Sequence, residues 1–236
     1  HGGIGNDVRV KCVFIDSTKL EEGDLSSLDQ VDAILVPGGF GVRGTEGKIL
    51  AVRHAREHKI PFFGICLGLQ MAVIEFGRSV LGLERANSLE FDEATPHPVV
   101  TLMEGQKAVS DKGGTMRLGA YPCALKEGTK ARELYACDLV HERHRHRYEF
   151  SNAYRAQYEA AGLVFSGVNP DLNLVEMIEL NNHPHFVGCQ FHPEFRSKPF
   201  APHPLFAGFV QAAREHRDQA NRQPGAAVTK LPVGKA

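Results

Sequence analysis

A single cysteine lies between two glycines at the point where an apolar segment of the chain gives way to a helical pattern. The stretch "PFFGICLGLQMAVIEFG" (61–77) contains Gly64, Cys66 and Gly68 as a G-x-C-x-G motif. In a sharp strand-to-helix turn the central residue is strained and its side chain is presented outward, and only glycines tolerate the crowding on either side. The start of the following helix favours a thiolate and leaves backbone N–H groups, such as that of Leu67, free to bind an oxyanion. The motif therefore predicts a cysteine nucleophile, and a buried core cysteine is the alternative.

A second segment supplies the partner that a cysteine nucleophile needs. In "GCQFHPEF" (188–195) the side chains of His192 and Glu194 point to the same face if the chain is extended, and Pro193 disfavours a helix at His192. A histidine held by a carboxylate is the usual general base for such a nucleophile. An isolated His-x-Glu is more often an ordinary surface pair at a strand end. Its occurrence together with Cys66 favours a catalytic triad of Cys66, His192 and Glu194.

The composition limits the class of protein. The chain has 236 residues, 42% of them hydrophobic and 23% charged, which suits one domain with a sizeable core. Its 27 basic and 28 acidic residues nearly cancel, so no charge excess favours a nucleic-acid partner or an anionic membrane. We therefore expect neither a nucleic acid nor a membrane as partner.

The cysteines and the chain start indicate the cellular setting. Five widely spaced cysteines without a C-x-x-C motif argue against a disulfide framework and against a structural zinc site, so we expect no metal. We interpret those other than Cys66 as packing residues: Cys12, Cys123, Cys137 and Cys189. No apolar run is long enough for a membrane span, and "HGGIGNDVRV" is not a signal peptide. We expect a cytoplasmic chain that begins inside a longer protein.

Alternating strand and helix patterns predict the architecture. The runs "VRVKCVFID" (8–16) and "VDAILVPGG" (31–39) read as strands, "KILAVRHAREHK" (48–59) as a helix, and "IPFFGI" (60–65) as a further strand. This order predicts an α/β fold with a mostly parallel, doubly wound sheet flanked by helices.

The second half of the chain is richer in strands. Strand-like runs separated by turn residues extend over 98–193, which predicts additional antiparallel strands. The polar segment "VHERHRHRYEFSNAY" (140–154) reads as an interruption of them. The end, 218–236, mixes charge, Gly and Pro and reads as a disordered tail, so we place the domain at 1–217.

Five motifs together resemble the class I, triad-type glutamine amidotransferase domain of the CTP synthase family. They are "PGGFGVRG", "GICLGLQ", "GGTMRLG", "ERHRHRYE" and "QFHPEF". The resemblance spans most of residues 31–209. It implies the fold of that family and glutamine hydrolysis by Cys66, activated by His192, with Glu194 completing the triad.

The same resemblance implies a set of glutamine contacts. Gly39 and Leu67 supply the oxyanion hole, and Arg147 grips the substrate carboxylate, a task that suits a planar guanidinium. The remaining contacts implied are Gly68, Leu69, Gln70 and Glu90. From the residues alone, "PGGFG" is more typical of an ordinary strand-ending turn, and the alternating His and Arg of 143–147 are more typical of a solvated basic face or a phosphate patch.

The family also implies partners beyond this chain. Ammonia from glutamine passes to an N-terminal synthetase domain that uses ATP and magnesium to aminate UTP, with GTP as activator, in a homo-oligomer, a tetramer. No G-x-x-x-x-G-K-[ST] phosphate loop occurs here, so we expect this chain itself to need no cofactor. The resemblance places Phe40 and Arg43 near the junction of the two domains.

The chain departs from the family at its start, and other functions stay open. The family has a strand and a helix before "HGG", so we expect the sheet to lack its first strand. A γ-glutamyl hydrolase or a cysteine peptidase on the same scaffold is one alternative, and a non-catalytic binding domain is another. Glu90 and Arg147, as contacts for a free amino acid, speak against the first.

Overall fold

The computed structural model describes residues 1–102 and 116–222. The "GGTMRLG" motif therefore enters the structure only from Met116, and residues 223–236 of the predicted tail lie outside the described residues. The helices are α1 (Gly2–Gly5), α2 (Ser17–Leu20), α3 (Thr45–His58), α4 (Leu67–Ser79), α5 (Lys130–Tyr135), α6 (Arg155–Ala160) and α7 (Pro204–Arg222). The strands are β1 (Ile34–Val36), β2 (Phe62–Ile65), β3 (Asn87–Ser88), β4 (Pro98–Leu102), β5 (Arg117–Leu125), β6 (Leu139–His146), β7 (Tyr148–Phe150), β8 (Leu163–Val168), β9 (Val175–Leu180) and β10 (Phe186–Cys189).

Two sheets form the framework. The larger has the order β1-β2-β10-β9-β8-β5-β6, and the smaller has the order β3-β4-β7. In the larger sheet β1, β2 and β10 run parallel, whereas β9, β8, β5 and β6 follow in antiparallel pairings. The predicted α/β fold with additional antiparallel strands is confirmed.

Helix α4 is the central packing element. Its residues from Leu67 to Gly77 are all buried, since the helix lies between the larger sheet, the smaller sheet and helix α3. Its surface is mostly apolar, as is typical of an enclosed helix, and its buried polar side chains have partners: Glu75 pairs with Arg56, and Gln70 donates to the carbonyl of Tyr148. The nucleophile elbow is thus attached to a helix that is buried over three turns.

The segment 8–16, predicted to be a strand, is not one. Residues 8–15 have no ladder partner among the described residues, and Val10, Val13 and Phe14 are exposed. A β-branched sequence becomes a strand only where a neighbouring strand accepts its hydrogen bonds. The absence of a first family strand from the sheet stays a prediction.

Two boundaries also differ from expectation. The polar segment 140–154 is not an interruption, because Leu139–His146 is the edge strand β6 and Tyr148–Phe150 is β7. Helix α7 continues to Arg222, so the part of the predicted tail from 218 to 222 is helical. Among the residues that the structure describes, no helix is long and apolar enough to cross a membrane.

The sheet places the two candidate catalytic segments side by side. Strands β2 and β10 are parallel neighbours, with Ile65 opposite Cys189. Cys66 follows the carboxyl end of β2, and His192 lies three residues beyond the end of β10. Carboxyl ends of neighbouring parallel strands are the usual location of active sites in α/β sheets.

Candidate active site

Cys66 occupies the strained turn that its sequence predicts. Its φ is +51° and its ψ is −99°, a backbone conformation that residues with a side chain rarely adopt. Its N–H donates to the carbonyl of Cys189 at 2.7 Å, which fixes the turn to β10. A Cβ at Gly64 would lie 2.6 Å from the backbone of Gly68, and one at Gly68 would lie 2.1 Å from the Val36 carbonyl oxygen. Glycine is therefore required on both sides.

The resting nucleophile is a thiol. Burial raises the pKa of Cys66 to about 12, against the lowering effect of a hydrogen bond from the Leu67 N–H. The helix start acts on the pKa in the predicted direction, but loss of solvation outweighs it in this state. A base that removes the proton during attack is needed.

His192 is arranged as such a base. Its Nδ1 lies 2.7 Å from Oε1 of Glu194, and its ring stacks on Phe195 with centroids 5.0 Å apart. Its backbone N–H donates to the carbonyl of Arg143 on β6 at 2.8 Å. Nε2 is buried and has no hydrogen-bond partner within the described ranges. With Glu194 accepting the Nδ1 proton, Nε2 carries the lone pair that can accept a proton.

The carboxylate of Glu194 is ionised at neutral pH. Partial burial raises its pKa, but the hydrogen bond from His192 and the nearby imidazoles outweigh burial, so that the net pKa is lowered. An ionised carboxylate at Nδ1 fixes one tautomer of the ring and stabilises the imidazolium that forms during reaction.

Gly38 lies next to both the nucleophile and the base. A Cβ at Gly38 would lie 2.8 Å from Cε1 of His192 and 3.6 Å from the Cβ of Cys66. Both side chains therefore border the same small space above the end of β1. The sequence prediction did not include Gly38, although the paired glycines of "PGGFG" were an available signal for it.

The predicted oxyanion residues lie next to each other. A Cβ at Gly39 would be 3.1 Å from Cδ2 of Leu67, so the loop after β1 packs on the first turn of α4. Glu90 joins the same loop, since its Oε1 accepts a hydrogen bond from the Gly41 N–H at 2.9 Å. Backbone N–H groups of adjacent loops are a common source of oxyanion donors.

Arg147 lies where the chain passes from the larger sheet to the smaller one, between β6 and β7. Its Nε is buried, and no hydrogen-bond partner for it occurs in the described parts of the chain. Gln70, one turn after the elbow, donates from Nε2 to the carbonyl of Tyr148 at 3.1 Å. The elbow helix is thereby fastened to the residue that follows Arg147.

Two further predicted contacts are enclosed. The side chain of Leu69 is fully buried in the core, and Gly68 packs against the backbone of Val36. If they contact a substrate, they do so through backbone atoms.

The basic segment is divided by strand alternation. Along β6 the side chains of His144 and His146 are buried, whereas those of Arg143 and Arg145 are exposed. The segment is therefore not a uniform solvated basic face.

The other cysteines differ in environment. Cys123 and Cys189 are buried, as expected of packing residues, and Cys137 is half-buried. Cys12 is exposed, so the packing role predicted for it is wrong. No cluster of three or more His, Cys, Asp or Glu side chains suited to a metal ion occurs within 1–102 and 116–222.

Comparison with known sequences identifies relatives over nearly the whole chain. The family described as "Glutamine amidotransferase class-I" matches residues 1–212. A CTP synthase of Moorella thermoacetica is 60% identical over 213 residues, which are 90% of this chain and 40% of the relative. A CTP synthase of Syntrophus aciditrophicus is 58% identical over 218 residues, 92% of this chain and 40% of the relative. The chain thus spans about 40% of the length of these relatives.

Two solved structures are similar to this chain in fold. The Trypanosoma brucei CTPS glutaminase domain with bound acivicin superposes with a TM-score of 0.85 at 38% identity, covering 91% of this chain and 84% of that one. A putative GMP synthase protein from Thermoplasma acidophilum has a TM-score of 0.58 at 16% identity, with 92% and 88% covered, which shows a shared fold alone.

Proposed function

Because the chain belongs to the class I glutamine amidotransferase family, we propose that it hydrolyses glutamine to glutamate and ammonia with Cys66 as nucleophile. His192 is the general base and acid, and Glu194 orients it. The observation that carries the proposal is the convergence at Gly38 of the strained Cys66 and the His192 ring.

The first half of the reaction releases ammonia. The Cys66 sulfur attacks the side-chain amide carbon while its proton passes to Nε2 of His192, and the N–H groups of Gly39 and Leu67 stabilise the oxyanion. The protonated His192 then gives that proton to the amide nitrogen, the C–N bond breaks and ammonia leaves. A γ-glutamyl thioester on Cys66 remains.

The second half restores the enzyme. Water gives a proton to Nε2 of His192 and attacks the thioester carbon at the same oxyanion site. The C–S bond breaks, the proton returns to the sulfur, and glutamate is released. Throughout, Glu194 accepts the hydrogen bond from Nδ1 and compensates the positive charge that forms on the ring.

Recognition of the free amino acid falls to the remaining predicted contacts. We assign the glutamine carboxylate to Arg147, whose buried Nε has no other partner in the described structure. Glu90 is assigned to the substrate ammonium group, from its position beside the loop of Gly39. Gln70, Gly68 and Leu69 line the same end of α4.

The role of the whole protein follows from its relatives. Named CTP synthases are similar to this chain over about 40% of their length, which supports an origin in such an enzyme. We propose that the ammonia serves the amination of UTP by a synthetase domain that uses ATP and magnesium, with GTP as activator and a tetrameric assembly. The free cysteines fit a cytoplasmic setting.

A glutaminase assay tests the proposal. Glutamate and ammonia release from free glutamine should be measurable and should vanish in Cys66→Ser, whose weaker nucleophile fits the same space. γ-Glutamyl peptides whose α-ammonium or α-carboxylate group is blocked should be poor substrates, because Glu90 and Arg147 are assigned to those two free groups. Efficient hydrolysis of such peptides without glutamine hydrolysis would favour a γ-glutamyl hydrolase instead.

A further inference from the structure

A buried polar cluster lies behind the turn that carries Arg147. Its members are at most 6% exposed and come from four strands: Arg117 on β5, His144 and His146 on β6, Glu149 on β7 and Glu176 on β9. The catalytic mechanism above uses none of them. So many buried ionisable groups are stable only if their charges are paired or neutralised.

One guanidinium serves two carboxylates. Arg117 donates from Nη1 to Oε1 of Glu149 at 3.0 Å and from Nη2 to Oε1 of Glu176 at 2.7 Å. With both carboxyl groups ionised and both imidazoles neutral, the cluster would carry one uncompensated negative charge. Burial raises the pKa of both carboxyl groups, that of Glu149 to about 8.

The two imidazoles form a directed chain of hydrogen bonds. Nδ1 of His146 lies 3.2 Å from the carbonyl oxygen of Tyr148, which can only accept, so this Nδ1 carries a proton. Nδ1 of His144 lies 2.8 Å from Nε2 of His146. Burial and the neighbouring Arg117 lower the pKa of His144 to about 2 and that of His146 to about 3, so both rings are neutral. His144 therefore donates from Nδ1, and its Nε2 has a lone pair.

That lone pair faces a carboxyl oxygen. Nε2 of His144 and Oε2 of Glu176 are 3.5 Å apart, and neither makes a hydrogen bond of good geometry elsewhere in the described structure, although the Asn169 amide lies beside Glu176. Two acceptors so placed repel unless a proton lies between them. A proton on either carboxyl leaves two buried charges in the cluster, whereas a proton on an imidazole would leave four, so a carboxyl is the less costly site. Glu149 lies 3.4 Å from the protonated Nδ1 of His146, whereas Glu176 faces an unprotonated nitrogen, so the geometry favours Glu176.

We propose that the cluster holds one proton on Oε2 of Glu176, and that Glu176, through His144 and His146, is a positioning residue for the turn of Arg147. With this proton, Glu176 donates to Nε2 of His144, and Nδ1 of His144 donates to Nε2 of His146. Nδ1 of His146 in turn donates to the carbonyl oxygen of Tyr148. Gln70 donates to the same carbonyl, so the chain ends on the contact that fastens Arg147 to the elbow helix.

This inference rests on the proposed function, since it is the binding of the glutamine carboxylate by Arg147 that the turn would control. Loss of the proton at high pH would add a negative charge beside His144 and remove the first donor of the chain. The turn would loosen, and the affinity for glutamine would fall with little change in the chemistry at Cys66.

Other groups surround the cluster. Cys123 on β5, Cys66 at the elbow and His192 beyond β10 are close enough for their charges to act on it, and Asn169 lies beside Glu176. The thiols are protonated at neutral pH because burial raises the pKa of both. The two protonated thiols and the Asn169 amide therefore supply no compensating positive charge.

The ¹⁵N spectrum of labelled histidine tests the charge and the tautomer of both rings, on which the place of the proton depends. At pH 7 both His144 and His146 should show the neutral pattern with the proton on Nδ1. An imidazolium pattern, or a proton on Nε2 in either ring, would place the proton elsewhere and overturn the proposal. This measurement does not depend on glutamine binding.

Glutamine affinity tests the positioning role. In a Cys66→Ala parent, which cannot turn over, the Kd for glutamine should be measured by calorimetry at pH 7 and pH 9. Glu176→Gln carries a permanent N–H donor of the same shape, so its Kd should match the parent at pH 7. Its rise towards pH 9 should be smaller than that of the parent, because an amide cannot lose this proton. The titration of the ligand amine is the same in both proteins and cancels.

A matched control uses another buried carboxylate. Glu75 is fully buried and paired with Arg56, away from the cluster, so Glu75→Gln should keep the pH dependence of the parent. Equal pH dependence in Glu176→Gln and the parent, or loss of binding at pH 7 in a folded Glu176→Gln, would overturn the positioning role. A parent that binds no glutamine would refute the proposed function, and the imidazole spectra would then still decide where the proton lies.

Discussion

Replacement of Gly38 by alanine should disable catalysis without touching a catalytic residue. The new Cβ would lie 2.8 Å from Cε1 of His192, whereas ordinary contacts begin near 3.4 Å. The imidazole must therefore retreat by at least about half an ångström, because carbon atoms do not approach more closely. Its ring is held by Glu194 on one side and by Phe195 on its face, so the retreat carries Nε2 away from Cys66.

The expected loss follows from the required alignment. A misplacement of about 1 Å in a reacting group can cost about a hundredfold in rate, so we expect kcat to fall between roughly tenfold and a hundredfold. KM should change less than about twofold, because Arg147 and Glu90 are not displaced. Overpacking should lower the free energy of unfolding by about 1–3 kcal/mol.

Steady-state glutamate release and urea unfolding measure both effects. Gly208→Ala is the control, because its Cβ would press on the Leu134 side chain at 2.5 Å, far from Cys66, and should lower stability without lowering kcat. A folded Gly38→Ala enzyme with kcat within threefold of the parent would refute the inference that Gly38 borders the working position of His192.

Three further outcomes are expected. A glutamine-analogue electrophile should label Cys66 first, whereas a general thiol reagent should label the exposed Cys12 before Cys66. Mass mapping of the labelled peptides measures both. Rapid labelling of Cys12 by the analogue would contradict the assignment of Cys66. Arg147→Ala should raise KM for glutamine with a smaller change in kcat, because the carboxylate contact is made equally in the ground and transition states; an unchanged KM would return Arg147 to a structural role. The free energy of unfolding should fall as the pH falls from about 6.5 to 4. Burial lowers the pKa of His185 to about 4, so in this range the unfolded chain binds a proton at His185 that the folded chain does not. Each such histidine contributes at most about 1.4 kcal/mol per pH unit in that window, and His185→Gln should flatten the unfolding free energy measured against pH.

The elbow and the triad could be read from the sequence because their local geometry is encoded in adjacent residues. Glycines at 64 and 68 are needed wherever a backbone passes so close, and a His-Pro-Glu segment restricts its own conformation. That Cys66 would be a buried thiol could not be foreseen, because the desolvation that raises its pKa comes from elements distant in sequence.

Two strand assignments could not be predicted correctly from the sequence. Segment 8–16 has strand residues but no partner in the described structure, whereas 139–146 has a polar sequence and is a strand. In β6 the period-two alternation of His and Arg was visible, but its buried face is polar. Such a face is stable only because Arg117, Glu149 and Glu176 meet it from other strands, which no local pattern reveals.

The parallel pairing of β2 with β10 also bears on how such a domain can change over time. The nucleophile and its base follow two hydrogen-bonded neighbours, so their separation is set by the spacing between adjacent strands. The chain between Cys66 and His185 makes an excursion from these two strands, in which α4 packs on both of them and β9 pairs with β10. Loops in that excursion can lengthen, shorten or acquire new surfaces while the catalytic distance stays fixed. We therefore expect insertions to be tolerated at the loop tips of this excursion but not within β2 or β10.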